Sequence, residues 1–362
     1  MHIVHLPTCW RRLYCKLISV ILALCMVLTS IAAANACVFD FRKPERTEID
    51  WILQAGALVL ARPNPDSEFS FEVIQVLRGS GQDFTWPFLV SSTDRRKLQR
   101  NSEHAVLFRR TEAGNWTRVS YVDTDFKEIL KKTIKNTNLW NSVDFHPSRF
   151  AFFEALQTST NPKLRDLAVR ELDKASYKEL RALNVKISTD ELLADLRTKA
   201  GYPYQAIRVL LLGFSGDDKA KVEILSYLER MKNRADAQNI GAYSAALIEL
   251  YGVEGIHYLN ENLLTDANQP TSKLQGIISA LAAHHDTTDY EVSNTINKTI
   301  SELLQSRPQT ASIVAQQFST FTNWSQAEPL AQLVKKRQLT TPVDLLTVSV
   351  YLAQARRYAD AE

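Results

Sequence analysis

The sequence predicts an α+β protein with more than one domain, in which a small OB-like β-barrel or sandwich precedes an α-solenoid of HEAT-like helical hairpins. Two observations support this fold class. Five short stretches typical of strands fall within roughly 70 residues that begin at Ala57. From Ser148 onward, amphipathic segments of helix length follow one another instead. We expect a signal peptide at 1–36, a β-domain with a short leading helix at 37–135, and a helical repeat domain at 136–362.

The first 36 residues have the pattern of an export signal. Three Lys or Arg residues and no acidic residue precede an apolar run from Leu17 to Leu28, and Ala34-Asn35-Ala36 places small residues before Cys37. The run is shorter than the roughly 20 residues that a membrane span requires. We therefore expect a periplasmic or secreted protein without a membrane span, and the alternative is an outer-membrane lipoprotein.

Removal of this signal changes the charge and the cysteine content. The signal contains three of the 43 Lys and Arg residues and none of the 40 Asp and Glu residues, so the remaining chain is formally neutral. Neutrality argues against nucleic acid as a partner. Three of the four cysteines also lie in the signal, which leaves Cys37 as the single thiol and excludes an internal disulfide.

Cys37 has three interpretations. Ordinary signal cleavage after Ala36 would leave a free cysteine as the first residue. Lipid attachment at Cys37 would give the protein a membrane anchor. The terminal thiol and amine could instead bind a metal or the sulfur of a partner. The residues before Cys37 are a poor match to a lipid-attachment site, so ordinary cleavage is the favoured interpretation.

The β-domain is predicted from alternating apolar residues and turn residues. A short helix is expected first, and the strands that follow it are Ala57–Ala61, Phe69–Leu77, Phe84–Val90, Ala105–Arg109 and Trp116–Val122. Glu112 to Asn115 forms a hairpin loop between the last two strands. Pro87 places the third strand at a sheet edge or in a bulge, because proline cannot donate to the ladder.

The helical region begins with two capped segments. One starts at Ser148, and Asn161-Pro162 provides a cap and a first-turn proline for the next. The later helices are expected at Ser188–Lys199, Tyr204–Leu212, Asp217–Met231, Ala242–Tyr251, Thr271–Ala283, Tyr290–Leu304, Pro308–Thr320, Ser325–Arg337 and Pro342–Arg356. Pairs of them recur at about 35–40 residues, which is the spacing of two-helix solenoid repeats.

Several short motifs resemble those of a group of uncharacterised exported bacterial proteins with an N-terminal cysteine motif, a small β-domain and HEAT-like helices. The matching residues are Cys37-Val38-Phe39, Asp166-Leu167-Ala168, Glu171, Ala175, Tyr177, Leu180, Leu210-Leu211-Leu212-Gly213 and Gly216. The group often begins with Cys-x-Phe-Cys, whereas Asp40 occupies the second cysteine position here. The resemblance therefore implies the fold, and it implies neither an activity nor cysteine-pair chemistry.

Candidate sites are few. Arg95, Arg96, Lys97 and Arg100 form a candidate anion-binding group, and Trp86, Phe88 and Trp116 lie near it in the sequence. Nucleic-acid binding by such a face is less favoured than a solvated basic surface. His284-His285-Asp286 is interpreted as a polar loop at a helix turn. Tyr202-Pro203-Tyr204 and Trp324 are candidate surface aromatics that more often pack than recognise a ligand.

No catalytic motif is recognisable. Gly213-Phe214-Ser215-Gly216 lacks the spacing and the strand that a nucleophile elbow requires, and zinc-protease, phosphate-loop and dinucleotide motifs are missing from the sequence. We therefore expect no cofactor and no metal, and an exported non-catalytic binding or scaffolding protein that engages a partner protein. The alternatives are an inhibitor-like module, similar in outline to netrin-type metalloprotease inhibitors, and an enzyme with unrecognised site residues.

Overall fold

The computed structural model describes residues 39, 45–80, 89–142, 146–183, 187–199, 201–285 and 290–360, with Glu68 and Tyr202 described for the backbone only. Within these residues the protein is α+β: one small antiparallel sheet is followed by many helices. Several sequence predictions lie outside the described residues. They are the signal peptide, Cys37, Asp40, Trp86, Pro87, Phe88, Asp286 and most of the predicted third strand.

Four strands form the sheet in the order β2-β1-β3-β4, and every neighbouring pair is antiparallel. The elements of this region are α1 (Glu48–Leu53), β1 (Ala57–Asn64), β2 (Ser67–Arg78), α2 (Ser92–Arg100), β3 (Ala105–Arg110) and β4 (Trp116–Val122). Four of the five predicted strands are thus confirmed. Leu89 and Val90, the described end of the other one, are not in a strand, although the Val90 amide donates to the Phe69 carbonyl at 2.9 Å.

Alternation along β1 divides the core of the sheet between its two faces. Leu58 and Leu60 point into a cluster that also contains α1 and the helices that follow the sheet. Val59 and Ala61 point to the other face, where they belong to a smaller cluster with Leu98 of α2. Successive side chains of a strand point to opposite faces, so both faces of this strand are buried and its sequence is continuously apolar.

The stretch interpreted from the sequence as a solvated edge and loop forms the helix α2, on which Arg96, Lys97 and Arg100 are exposed to solvent. Ser91 caps its start by accepting from the Asp94 amide at 3.0 Å. At its end, the Arg62 guanidinium donates to the Leu98 carbonyl at 2.7 Å and to the Ser102 carbonyl at 2.7 Å. A charged side chain from the sheet therefore satisfies the carbonyls that the last turn of a helix leaves unpaired.

Helices also fill the segment in which the domain border was placed. They are α3 (Thr124–Lys135), α4 (Thr137–Asn141), α5 (Pro147–Ala155) and α6 (Pro162–Leu172), with a 3₁₀ turn at Leu156–Thr158. Phe153, Leu164 and Leu167 from α5 and α6 share one hydrophobic cluster with the inward face of the sheet. The first helices after the sheet are therefore packed against it as part of one core.

The remaining helices follow one another in pairs. Their bounds are α7 (Tyr177–Ala182), α8 (Thr189–Leu196), α9 (Gln205–Ser215), α10 (Asp218–Met231), α11 (Ile240–Tyr251), α12 (Val253–Leu259, extended by a π turn at Asn260–Leu264), α13 (Thr271–His285), α14 (Tyr290–Ser306), α15 (Ala311–Thr320), α16 (Ala327–Lys335) and α17 (Pro342–Ala359), with 3₁₀ turns at Tyr202–Tyr204 and Pro308–Thr310. All nine later helices predicted from the sequence are present, with bounds that differ by a few residues.

Alternate helices pack against one another. The series α9, α11, α13, α15 and α17, here called the central row, makes contacts from each member to the next, and α12, α14 and α16 make a parallel series of contacts outside it. Helices α11 and α13 are apolar around most of their circumference and buried. A helix that is apolar on all sides belongs in the interior of a protein, which explains their central position.

Small residues set the distance between members of the central row. A Cβ atom on Gly276 of α13 would lie 3.1 Å from the backbone nitrogen of Gly241 on α11, and one on Gly213 of α9 would lie 2.7 Å from the Cα of Ala246 on α11. Neither gap has room for a larger side chain. Phe39 packs at the same place on α11 and meets Tyr177 edge to face at 5.5 Å.

Two equivalent cations link successive helical pairs. Lys273 at the start of α13 donates to the Met231 carbonyl at the end of α10, at 2.8 Å. Arg307, just before α15, donates to the Asp266 carbonyl beyond the end of α12, at 2.9 Å. Each cation thus reaches back to the last carbonyls of the outer helix of the preceding pair, where positive charge is favoured. The two cations lie 34 residues apart in the sequence.

Candidate binding cleft

A cleft of about 570 Å³ lies where the end of the sheet meets α3, α6, α8 and α9. Four cationic and four anionic side chains line it, so its formal charge is balanced: Lys163, Arg165, Arg170, Arg208, Glu48, Asp123, Asp166 and Asp195. Concave surfaces with a few convergent polar groups are where proteins most often bind ligands.

Two charged residues of α6 line the cleft together because they are one helical turn apart in the sequence. Asp166 and Arg170 are one turn apart, lie on the same side of the helix, and pair at 3.1 Å. Arg170 also pairs with Glu48 of α1 at 3.0 Å. Burial lowers the pKa of Arg170, but the Glu48 and Asp166 carboxylates more than offset burial and leave that pKa raised. This arginine therefore stays charged and ties α1 to α6.

Arg208 of α9 lies at the floor of the cleft and is only 3% exposed. Its Nη1 donates to the Gly201 carbonyl at 3.3 Å and to the Tyr204 carbonyl at 3.4 Å. Its Nη2 lies 3.6 Å from Asp166 Oδ1 and its Nε lies 3.5 Å from Asp195 Oδ2, and Nε makes no hydrogen bond to the residues that the structure describes. These four contacts of the buried guanidinium are therefore longer than an ordinary hydrogen bond.

The carboxylates that face Arg208 are accessible. The side chains of Asp166 and Asp195 are 46% and 51% exposed, so they keep much of their contact with water. The floor of the cleft thus combines one buried cation with two half-exposed anions. Because neither contact of Arg208 with these carboxylates is short, Arg208 retains hydrogen-bonding capacity for a ligand.

A second buried charge cluster lies between α1, α5 and α6, and it is held differently. Arg149 donates to Asp50 Oδ1 at 2.6 Å and to Glu171 Oε2 at 2.7 Å. Lys174 donates to Glu171 Oε1 at 2.8 Å, to the Thr47 hydroxyl at 3.0 Å, and also to Asp50. Two cations and two anions are therefore fully paired by short bonds. Burial raises the pKa of Asp50, but Lys174 and Arg149 lower it further, to about 2.

The interpretation of His284 as part of a polar loop was wrong, because His284 belongs to a third polar cluster. This residue is completely buried within α13 and is not in a polar loop. Its Nδ1 faces the Ala280 carbonyl at 2.8 Å, so Nε2 faces the Tyr177 hydroxyl at 2.8 Å and Glu249 Oε1 at 3.3 Å. Burial alone would raise the pKa of Glu249, but His284, Tyr177 and Arg181 lower it. This cluster lies against Phe39 through the ring of Tyr177.

The predicted anion-binding residues all lie on α2, but they do not converge. Arg95 Cζ lies 4.8 Å from the ring centre of Phe69, and Lys97 Nζ lies 5.5 Å from the ring centre of Tyr121. Arg96 and Arg100 are exposed. The helix itself is fixed by a bidentate pair between Arg118 and Asp94, at 2.7 and 2.9 Å. Anion binding at α2 stays a prediction.

The other candidates have ordinary packing roles. Ser215 ends α9 and donates to the Leu212 carbonyl at 2.7 Å, and Gly216 follows with a φ of 66° as a helix cap. Tyr204 donates to Glu45 at 3.2 Å, and Trp324 packs against Tyr351 with ring centres 5.2 Å apart. Within the described ranges, no group of three potential metal ligands comes together. No helix there is long and apolar enough to cross a membrane.

Sequence reasoning missed the cleft and both buried clusters because their members lie far apart along the chain. Asp50 and Arg149 meet across α1 and α5, and Tyr177 and His284 meet across α7 and α13. One signal was available: Asp166, Glu171 and Tyr177 belong to the motifs that carry the family resemblance. The chain matches no family model, no curated protein and no solved structure.

Proposed function

We propose that this chain is an exported, non-catalytic binding or scaffolding protein that engages a partner protein through the surface of its helical repeats. The proposal includes the finer fold assignments, a HEAT-like solenoid behind an OB-like β-domain. The observation that carries it is the stacking of alternate helices in the central row, together with the equivalent contacts of Lys273 and Arg307. Stacked repeats form the extended surfaces that such proteins use for recognition.

The balanced charge of the cleft also supports partner binding. Its charged side chains pair with one another across element boundaries, as Arg170 does with Glu48 and Arg208 with Asp195. Interfaces between proteins use complementary charge mainly for specificity and orientation. A protein surface that presents both signs of charge suits a partner with a mixed charge pattern, whereas nucleic acid would require an excess of positive charge.

Site-specific photocrosslinking in the native host tests this function. A photoreactive residue replaces Glu261 after α12 or Lys298 on α14, both exposed on the outer helices, and a matched control replaces Glu112 in the β3–β4 loop. We expect one product of the same mass from Glu261 and Lys298 and none from Glu112. Equal products at all three positions, or no product at the two helical positions, would contradict the proposal.

The proposed location is the periplasm or the extracellular space, with a lipid anchor at Cys37 as the alternative. The intact mass of the mature protein, measured without reductant, separates these cases. A mass that begins at unmodified Cys37 supports a periplasmic or secreted protein, and an added diacylglycerol and acyl chain supports a lipoprotein. A mass that still includes residues 1–36 would contradict export.

A further inference from the structure

Arg208 is buried, and its polar contacts with Gly201, Tyr204, Asp166 and Asp195 are all long. A guanidinium removed from water is costly unless short hydrogen bonds replace its hydration. At Arg208 the two carbonyl contacts are 3.3 and 3.4 Å, and Nε donates to no acceptor among the described residues. In the other charge cluster, Arg149 is buried to the same degree but donates at 2.6 and 2.7 Å. The contacts of Arg208 are therefore longer than full hydrogen bonds, and its donors could bind a ligand with suitably placed acceptor atoms.

Such a ligand must accept from Arg208 and donate to the carboxylates beside it. Nε and Nη2 are donors, whereas Asp166 Oδ1 and Asp195 Oδ2, at 3.6 and 3.5 Å, are acceptors. A ligand with only negative charge would be repelled by the two aspartates, and one with only positive charge would be repelled by Arg208. A ligand with an ammonium and a carboxylate attached to the same carbon atom matches all three groups.

We propose that the floor of this cleft binds a free α-amino acid, with the ligand carboxylate at Arg208 and the ligand ammonium between Asp166 and Asp195. Charge-assisted bonds of this kind are the strongest hydrogen bonds that a protein surface offers. The cleft volume of about 570 Å³ leaves room for the ligand side chain. A peptide has only one of the two charges at each end, so it fits this arrangement less well. The site goes beyond the proposed partner binding and does not depend on it.

Thermal denaturation of the mature protein tests the proposal with each of the twenty L-amino acids at 10 mM, followed by titration of the best one. A ligand that binds only the folded state raises the melting temperature in a saturable way. We expect at least one amino acid to do so. Its N-acetyl form, its methyl ester and its glycyl dipeptide should each bind at least tenfold more weakly. Absence of stabilisation by all twenty, or equal binding of the blocked forms, would overturn the proposal.

Two variants and a control locate the site. Asp195→Asn removes one half-exposed charge and should weaken binding at least tenfold while the protein stays folded. Arg208→Met should abolish binding. Asp218→Asn changes an aspartate on α10 that is 94% exposed, and it should leave binding unchanged. Unaltered affinity in Asp195→Asn would overturn the assignment, whatever the stability of Arg208→Met. Photocrosslinking at Glu261 and Lys298 reads out partner binding separately, so the two proposals can fail independently.

Discussion

Arg149 and Arg208 are two buried arginines with opposite surroundings. Their residues are 5% and 3% exposed, so burial does not distinguish them. Arg149 donates short bonds to Asp50 and Glu171, and the Glu171 side chain is fully buried. Arg208 makes only long contacts, and its two carboxylate neighbours are half in water. The comparison teaches that the bond lengths and the exposure of the partners, rather than burial, separate a structural charge from one available to a ligand.

The physical reason lies in what each arginine would leave behind if it were removed. Loss of Arg149 would leave the Glu171 carboxylate, which is fully buried, with fewer partners, and an uncompensated buried charge is among the costliest defects in a protein. Loss of Arg208 would release Asp166 and Asp195 to solvent that they already contact. We therefore expect a substitution to destabilise the protein more when the charged pair that it breaks is more completely removed from water.

Arg149→Met should produce the largest effect. We expect a loss of about 3–5 kcal/mol in the free energy of unfolding, because the buried Glu171 and the 15% exposed Asp50 would then share the single cation Lys174 within this cluster. Urea unfolding followed by circular dichroism measures this loss. The control is Arg230→Met, since the Arg230 side chain is 54% exposed on α10. A loss below about 1 kcal/mol in Arg149→Met would contradict the comparison of Arg149 with Arg208, because it would show that the short bonds of Arg149 add little to stability.

Acid should weaken the same cluster. The pKa of Asp50 is about 2 in the folded protein, below the 3.8 of an unperturbed aspartate. A folded pKa below the unfolded one adds stability above pH 4, and this stability is lost as the pH falls from about 4 to about 2. For a shift of this size the contribution is about 2 kcal/mol. Urea midpoints measured from pH 6 to pH 2 should show this slope, and Asp50→Asn should flatten it. An unchanged slope in that variant would assign the acid sensitivity to other carboxylates.

Arg118→Met should have a smaller and more local effect. Arg118 holds Asp94 through two bonds, which are the largest cause of the lowered pKa of Asp94, but the Arg118 side chain is 40% exposed. Such exposed pairs contribute about 1 kcal/mol or less. We expect faster amide hydrogen exchange in α2 with little change elsewhere. Exchange that rises equally in the sheet and in the helical repeats would show that α2 unfolds only together with the whole protein.

Much of the fold could be predicted from the sequence because it depends on local periodicity. A compact apolar run found β1, alternation found β2, and apolar spacing and caps found α5, α6, α8 to α11 and α13 to α17. Among the helices that were missed is α2, which contains one buried apolar side chain, Leu98, and owes its ends to Ser91 and Arg62. The cleft could not be predicted at all. Whether Arg208 meets a carboxylate at 2.7 or 3.5 Å depends on how α6, α8 and α9 pack, and no sequence pattern encodes that distance.

Arg208→Met should have the smallest effect on stability and is the sharpest test of the comparison. Methionine retains the apolar stem of the arginine side chain, while Asp166 keeps its pair with Arg170 and Asp195 remains half exposed. We expect a change below about 1 kcal/mol in urea unfolding, several-fold less than for Arg149→Met, because no buried charge is left unpaired. A loss as large as that of Arg149→Met would mean that the long contacts of Arg208 stabilise as strongly as short bonds. Burial alone would then govern both arginines, and Arg208 would have no capacity to spare for a ligand.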